Sequence, residues 1–453
     1  MEDERLSIRQ ILSYGLPSFG TAMIMISVAI YLPNFYTDEV GVTAGMLSWV
    51  FLAGRIWDAV TDPFMGHLSD RTRTRWGRRR PYFVIAALPL WLLFYLIWSP
   101  DLSLPASTSF LYLLVFYLVL YTFWTIFSVP YVSLGMELTP AYHERTRLFA
   151  GRQGFLIAGT LVGMLAPVTF AELWGDKASG YSVMGAIFGG LCALMILFTF
   201  SRVRERPELS VGESFPFIKG LGVTLRNRAF LVLLLVYLFS FVGGSFIAPL
   251  TLYMAKYVIK AEWVVRYVMV AYMLGTLISI PLWLRLSKLY GKKKAWSIAM
   301  LVGTIGYALT YTYDEGTWLR WIVLAVVVGS ATGCGMTMGP AISADVIDSD
   351  ELETGKRREG AFIGVWSFID KAAVGLAVFI GLQGLEQIGY QPNVEQTEEV
   401  IFGMKFLYCI LPAVFHLIAV LIFQKFPITQ EVHAEIRAQL EARRTAAAEA
   451  EPG

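Results

Sequence analysis

The 453-residue chain is short of charge. Asp, Glu, Lys and Arg make up 16% of it and hydrophobic residues 56%, against about 25% and 45–50% in soluble domains. A soluble protein of this length splits into two or three domains with polar surfaces and linkers, and the polar material for such surfaces is missing. Histidine and cysteine are scarcer still. His67, His143, His416 and His433 are scattered, and Cys192, Cys334 and Cys409 sit singly in apolar runs. Neither set has the spacing of a metal site or a disulfide framework, and buried inert thiols are expected. There is no nucleophile elbow and no phosphate loop. An enzyme is therefore not expected, nor is a cofactor. The net charge of +2 gives no bulk attraction for nucleic acid, and nothing points to an obligate protein partner. The opening MEDERLSIRQ mixes acids and bases, and the apolar run behind it is too long for a signal-peptide core.

What the chain has in abundance is apolar runs of the length that crosses a bilayer, about 20 residues each. Twelve are expected, at 11–36, 45–65, 82–99, 109–135, 149–170, 182–201, 229–255, 265–284, 296–313, 319–343, 361–385 and 400–424. The expected class is an all-α integral membrane protein in a lipid bilayer. The longest polar connection, containing RVRERPELSVGESFP, divides the runs six and six. The domains expected are a six-helix bundle over 1–201, a middle loop over 202–228, a second bundle over 229–424 and a tail over 425–453.

Orientation follows from Lys and Arg in short loops. Arg71, Arg73, Arg75, Arg78, Arg79 and Arg80 follow the second run. Arg285, Lys288, Lys292, Lys293 and Lys294 follow the eighth, and Lys356, Arg357 and Arg358 the tenth. The middle connection carries Arg202, Arg204, Arg206, Arg226 and Arg228, while 37–44, 100–108 and 386–399 carry none. The basic loops, the middle connection and both termini are expected to be cytoplasmic, in a plasma (inner) membrane. GHLSDRTRTRWGRRRPY after the second run has a counterpart in WLRLSKLYGKKKAW after the eighth. Paired halves with matching loops are a transporter signature, with the substrate near the midplane. The basic triplets Arg78, Arg79 and Arg80 either anchor topology or, with Asp70, lock neighbouring helix ends in one conformational state. The tail from Gln430 reads as a charged helix, solvated or lying at the interface, with no site.

The second run carries its own anomaly in RIWDAVTDPFMG. A charge at the bilayer centre costs about 2.5–3.5 kcal/mol on the mildest scale. Asp58 and Asp62 stand one helical turn apart, on one face, about 6 Å along the axis. Two such carboxylates repel, and one tends to stay protonated unless a cation sits between them. That is the physics of a proton or sodium site, with Thr61 and Thr125 as further oxygen donors. The competing reading places Asp62 in the salt-bridge network of the following loop. Arg55 pairs with either carboxylate or is structural.

In WSFIDKAAVG, Asp370 and Lys371 point about 100° apart on a helix. Lys371 is the better candidate for a central cavity, the alternative being an ion pair that only fixes packing; the role of Asp370 stays open. Arg152 either snorkels to the cytoplasmic side or donates to substrate oxygens. Trp124 and Trp366 have faces suited to stacking on a sugar, although most membrane tryptophans pack or anchor at the interface. Ser128 and Ser367 are weaker candidates.

At these residues the sequence resembles the glycoside–pentoside–hexuronide:cation symporter family of the major facilitator superfamily, whose familiar member is melibiose permease. The resemblance is carried by SYG at 13–15, YTDEVG at 36–41, RIWDAVTDPFMG at 55–66, TRWGRRRPY at 74–82, Thr125–Pro130, ADVIDSDELETGKRREG at 344–360, Lys371 and IGYQPN. It implies a major facilitator fold of twelve transmembrane helices in two six-helix halves. It implies Asp58, Asp62 and Thr125 as ligands of Na⁺ or H⁺ with Thr61 close by, and Arg152 and Lys371 lining the cavity. Where that permease has two sugar-binding aspartates and a tryptophan, this chain has Ala22, Ser128 and Val132. The coupling machinery looks kept and the galactoside contacts do not. The function implied is cation-coupled symport of a sugar, glycoside or sugar acid by alternating access. The alternative is a lysophospholipid or other amphiphile, since a sodium-coupled transporter of that cargo shares the branch and lacks the same contacts.

Overall fold

The computed structural model describes residues 5–205, 222, 224–225, 227–355 and 358–450. Arg206, Arg226, Lys356, Arg357 and most of the expected middle connection lie outside the described residues. Helices α1 to α6 span Ile8–Asp38, Ala44–Arg71, Pro81–Ile97, Ala106–Glu137, Tyr142–Leu173 and Lys177–Arg202. After Arg228–Ser245 (α7) the chain continues through Ile247–Tyr253 (α8) into a π-helical turn, Met254–Val258. Then come Val265–Tyr290 (α9), Lys292–Thr310 (α10), Trp318–Thr354 (α11) and Glu359–Gln387 (α12). Glu398–Lys405 (α13) runs through a second π-helical turn into Leu411–Phe423 (α14), and Gln430–Ala450 (α15) closes the chain.

Each expected apolar run falls on one of these helices or on a continuous helical pair, with ends a few residues off. Among the described residues nine helices are long and apolar enough to cross a membrane, and Pro81–Ile97 is a shorter apolar one. The second helix is not among the nine, and it is the helix that carries Arg55, Asp58 and Asp62. The largest boundary difference is α11, which runs 37 residues to Thr354 where the apolar run stops near 343. The segment ADVIDSDELET continues the helix because Asp345, Asp348 and Asp350 are taken up by Lys292, His433 and Arg358. It stops at Gly355, whose φ of 67° is the left-handed cap that favours glycine.

The described chain forms two compact units. The first takes the described residues of Met1–Glu213 with Ala248–Tyr257 and Val378–Ile401. Here α2 meets α4 at Gly54, where an added Cβ would lie 2.3 Å from the Tyr117 ring; only glycine lets the ring lie against the backbone. The second takes those of Ser214–Ile247, Val258–Ala377 and Phe402–Gly453. Its core gathers Phe230, Leu233, Trp296, Ile342, Val346, Phe362 and Phe423. The tail helix belongs to that core, through Ile436 and Leu440. His433 lies 3.2 Å from Asp348, and the Arg443 guanidinium donates to the Leu352 carbonyl at 2.6 Å. The tail expected as solvated or interfacial is thus docked along one apolar edge, four residues apart on one face. Cys192, Cys334 and Cys409 are buried and unbridged.

Candidate functional site

In the first unit α2 and α4 bring together the residues singled out for cation binding. Asp58 and Asp62 share a face of α2, and Thr125 of α4 stands opposite. Its hydroxyl lies 3.0 Å from Asp58 Oδ1 and 3.1 Å from Asp62 Oδ1. Asp58 and Thr125 are 2% and 1% exposed, while Asp62 is half-buried. Thr61 lies 3.3 Å from the Thr125 hydroxyl and donates to the Trp57 carbonyl at 2.9 Å. A hydroxyl has one proton to give, and here two carboxylate oxygens compete for it. The second contact is favourable when a carboxyl group donates back or when a small cation bridges the oxygens. Carboxylates and hydroxyls are the donor set for a hard ion.

The cluster is fixed from both helices. Trp57 donates its indole N–H to the Thr122 hydroxyl at 2.8 Å. The Arg55 guanidinium lies 5.5 Å over the Tyr121 ring.

Arg152 of α5 is half-buried and donates from Nε to the Ser18 hydroxyl at 3.1 Å. Its guanidinium lies 5.3 Å from the Tyr131 ring centroid. Ser18 and Tyr131 share a hydrogen bond of 2.9 Å, and the Tyr131 hydroxyl donates to the Tyr14 carbonyl at 2.6 Å. Arg152 is thus held among α1, α4 and α5 by groups that sequence reasoning missed. Tyr14 and Ser18 stand four apart on α1, but nothing local ties them to Tyr131, more than a hundred residues on. Trp124 and Ser128 are half-buried on α4.

The loop between α2 and α3 ties helix ends together. Arg79 donates from Nε and Nη2 to Glu137 at 3.0 and 2.6 Å, and from Nη2 to Asp70 at 2.9 Å. Arg78 reaches Glu137 at 2.7 Å. Burial alone would lower the Arg79 pKa, but hydrogen bonding and charge from Glu137, then from Asp70, reverse this and raise it. The guanidinium therefore stays charged. Glu205 accepts the backbone N–H groups of Arg78, Arg79 and Arg80 at 2.7, 2.7 and 2.8 Å. It places a carboxylate at the positive end of α3. Arg80 donates to the Phe200 carbonyl at 2.5 Å. Of the carboxylates in this network, only Asp70 was a candidate from the sequence.

A second buried acid was not anticipated. Asp38, 7% exposed, ends α1 and accepts from Lys256, from Tyr390 and, at 2.8 Å, from Tyr257. Asn393 donates to its carbonyl at 2.6 Å. These partners come from Ala248–Tyr257 and Val378–Ile401, the segments that join the first unit.

In the second unit α12 carries Trp366, Ser367, Asp370 and Lys371. Ser367 is exposed and Lys371 half-buried. Asp370 accepts from the Tyr237 hydroxyl at 2.7 Å, and Trp366 packs on the same tyrosine with ring centroids 4.1 Å apart.

The family model described as MFS/sugar transport protein matches residues 13–430. A putative glycoside/cation symporter of Escherichia coli is 27% identical over 99% of this chain and 98% of its own. A sodium-dependent lysophosphatidylcholine symporter of Gallus gallus is 24% identical over 97% of this chain and 90% of its own. Among solved structures, a bacterial homolog of the human lysosomal transporter Spinster superposes with a TM-score of 0.64, covering 93% of this chain and 97% of that one at 12% identity.

Proposed function

We propose, from the premise that the chain belongs to the MFS/sugar transport protein family, that it couples the entry of a small cation to uptake of a sugar, glycoside or sugar acid. It is a multi-pass membrane transporter and not an enzyme. The observation that carries the coupling is the Asp58–Thr125–Asp62 cluster, with both carboxylates within 3.1 Å of one hydroxyl. A cation there, Na⁺ or H⁺, neutralises buried charge that is costly to move through lipid. Alternating access then carries cation and substrate across together by rocking of two six-helix halves, 1–201 and 229–424. Lys371 and Arg152 line the path, with Trp124, Ser128, Trp366 and Ser367 as further substrate contacts. Both termini face the cytoplasm across the inner membrane. The Arg79–Glu137–Asp70 contacts and the Glu205 cap pin neighbouring helix ends of the first half together in one conformational state.

A second reading keeps the coupling and replaces the cargo with a lysophospholipid. It is supported by the similarity to the Gallus gallus symporter and by Ala22, Ser128 and Val132 at the galactoside positions. Proteoliposomes separate the two: uptake of labelled sugars, sugar acids and lysolipids is measured under an imposed Na⁺ or pH gradient. Gradient-driven accumulation of sugars supports the first reading. Accumulation of lysolipids alone supports the second, and no cation-driven accumulation of either class overturns both.

A further inference from the structure

Trp57 stands next to Asp58 on α2, about 100° around the helix from it. Its side chain belongs to a residue 43% exposed, yet its indole N–H is spent on the neighbouring helix, 2.8 Å from the Thr122 hydroxyl. Thr122 lies three residues before Thr125 on α4. Its own proton goes to the Leu118 carbonyl at 2.9 Å, so its oxygen meets the indole as an acceptor. The donors run one way, from Trp57 through Thr122 into the backbone of α4.

This bond is one of a series along the helix pair. Trp57 and Thr122 are 65 residues apart in the chain, and Thr61 and Thr125, 3.3 Å from one another, are 64 apart. Two helices running the same way are thus held side by side in one register. A turn before Trp57, the Tyr117 ring lies on the backbone of Gly54. These contacts resist different motions. A ring on a glycine is an apolar contact and tolerates sliding. The Thr61–Thr125 contact is long, and the Thr61 proton is committed to the Trp57 carbonyl at 2.9 Å. The indole bond is short and directional, and it opposes displacement along the axis. The cation cluster depends on that register. Thr125 reaches Asp58 at 3.0 Å and Asp62 at 3.1 Å, at the long end for a hydroxyl donor, and a slip of about 1 Å takes it out of reach of one of them.

We propose that Trp57 and Thr122 are positioning residues of the cation site: their hydrogen bond holds α2 and α4 in the register in which one hydroxyl, Thr125, serves both carboxylates. Neither residue touches the ion. Without the bond, the empty site relaxes with Thr125 on one carboxylate alone. A cation then has to restore the register before the full donor set holds it, and that ordering is subtracted from its affinity. The inference rests on the coupling reading and adds to it the residues that pre-organise the site. A tryptophan that only packs or anchors at the interface has no need of an acceptor on the helix that carries Thr125.

The test is initial uptake by the full-length transporter in proteoliposomes, titrated with whichever cation, Na⁺ or H⁺, drives uptake by wild type. Trp57→Phe keeps an aromatic ring and removes the donor. Thr122→Val keeps the shape and removes the acceptor. Each should raise the half-saturating cation concentration about 2- to 5-fold, part of one net hydrogen bond. Substrate half-saturation at saturating cation should stay at the wild-type value. Both substitutions remove the same bond, so the double variant should be no worse than the worse single one. Thr122→Ser, which keeps the acceptor, should behave as wild type. Melting temperature checks that each variant is folded. Unchanged cation dependence, even with a lowered melting temperature, overturns the proposal and leaves the bond a packing contact. Additive losses in the double variant, equal shifts of cation and substrate half-saturation, or a loss in Thr122→Ser equal to that in Thr122→Val overturn it too. Asp58→Asn separates this proposal from the coupling reading. If that variant accumulates substrate as wild type does, or if wild type shows no cation-driven uptake, the coupling reading fails and this proposal with it. If Asp58→Asn loses accumulation while Trp57→Phe and Thr122→Val keep the wild-type cation dependence, only the positioning role fails.

Discussion

Thr125→Val tests the geometry of the α2–α4 cluster with little change of shape. The side chain is 1% exposed, and valine fills the same space without the hydroxyl that sits 3.0 Å from Asp58 and 3.1 Å from Asp62. Valine removes the oxygen that completes the donor set of a bound cation, a contact comparable to a hydrogen bond to a charged group, about 1.5–3 kcal/mol. The hydroxyl also stabilises the cation-free carboxylates, which offsets part of that loss. The cation concentration giving half-maximal uptake should therefore rise by about 10-fold. Thr125→Ser keeps the oxygen and should stay within about threefold of wild type, less than the loss of one net hydrogen bond. The assay is initial uptake into proteoliposomes at fixed substrate across a cation titration, with melting temperature as the check on folding. An unchanged cation dependence in Thr125→Val, or an equal loss in Thr125→Ser, refutes the reasoning.

Four further substitutions read other parts of the account. Glu137→Gln leaves the buried Arg79 guanidinium with its main partner neutralised, and removing one member of a buried pair costs about 3–5 kcal/mol. Thermal stability should fall clearly, more than for Asp70→Asn, whose side chain is 30% exposed; equal losses would contradict the ranking. Gly54→Ala forces a Cβ to 2.3 Å from the Tyr117 ring and should cost about 1–3 kcal/mol as overpacking, measured by thermal melting; a neutral result would mean that the ring moves freely. Leu440→Asp should release the tail helix, so that trypsin cleaves at Arg437 and Arg443 sooner while the membrane helices melt as before. Undiminished protection would show that the charged contacts alone hold it.

The helices were legible because crossing a bilayer demands a run of apolar residues of fixed length, and that demand is local. Their ends were not. The extension of α11 to Thr354 depends on Lys292, His433 and Arg358 taking up its aspartates, and none of these stands within the apolar run. In the site, the common face of Asp58 and Asp62 follows from a four-residue spacing. Thr125 came into the reading as an available oxygen, and its assignment to both carboxylates rested on family resemblance. Glu205, Glu137 and Asp38 were missed for one reason: each meets its cationic or amide partner 58 to 218 residues away. An acid outside a membrane run carries no local sign of such pairing. The docked edge of the tail was present as Ile436 and Leu440, one turn apart, but two apolar residues in a charged helix are too few to distinguish docking from solvation.

Gradient-driven accumulation by Asp58→Asn is the most direct measurement. The substitution keeps the side chain's size and removes the buried charge that the cation is held to neutralise. In proteoliposomes the variant should bind substrate and exchange it across the membrane, yet fail to concentrate it under an imposed Na⁺ or proton gradient. Accumulation at the wild-type level would place the coupling ion elsewhere and contradict the account.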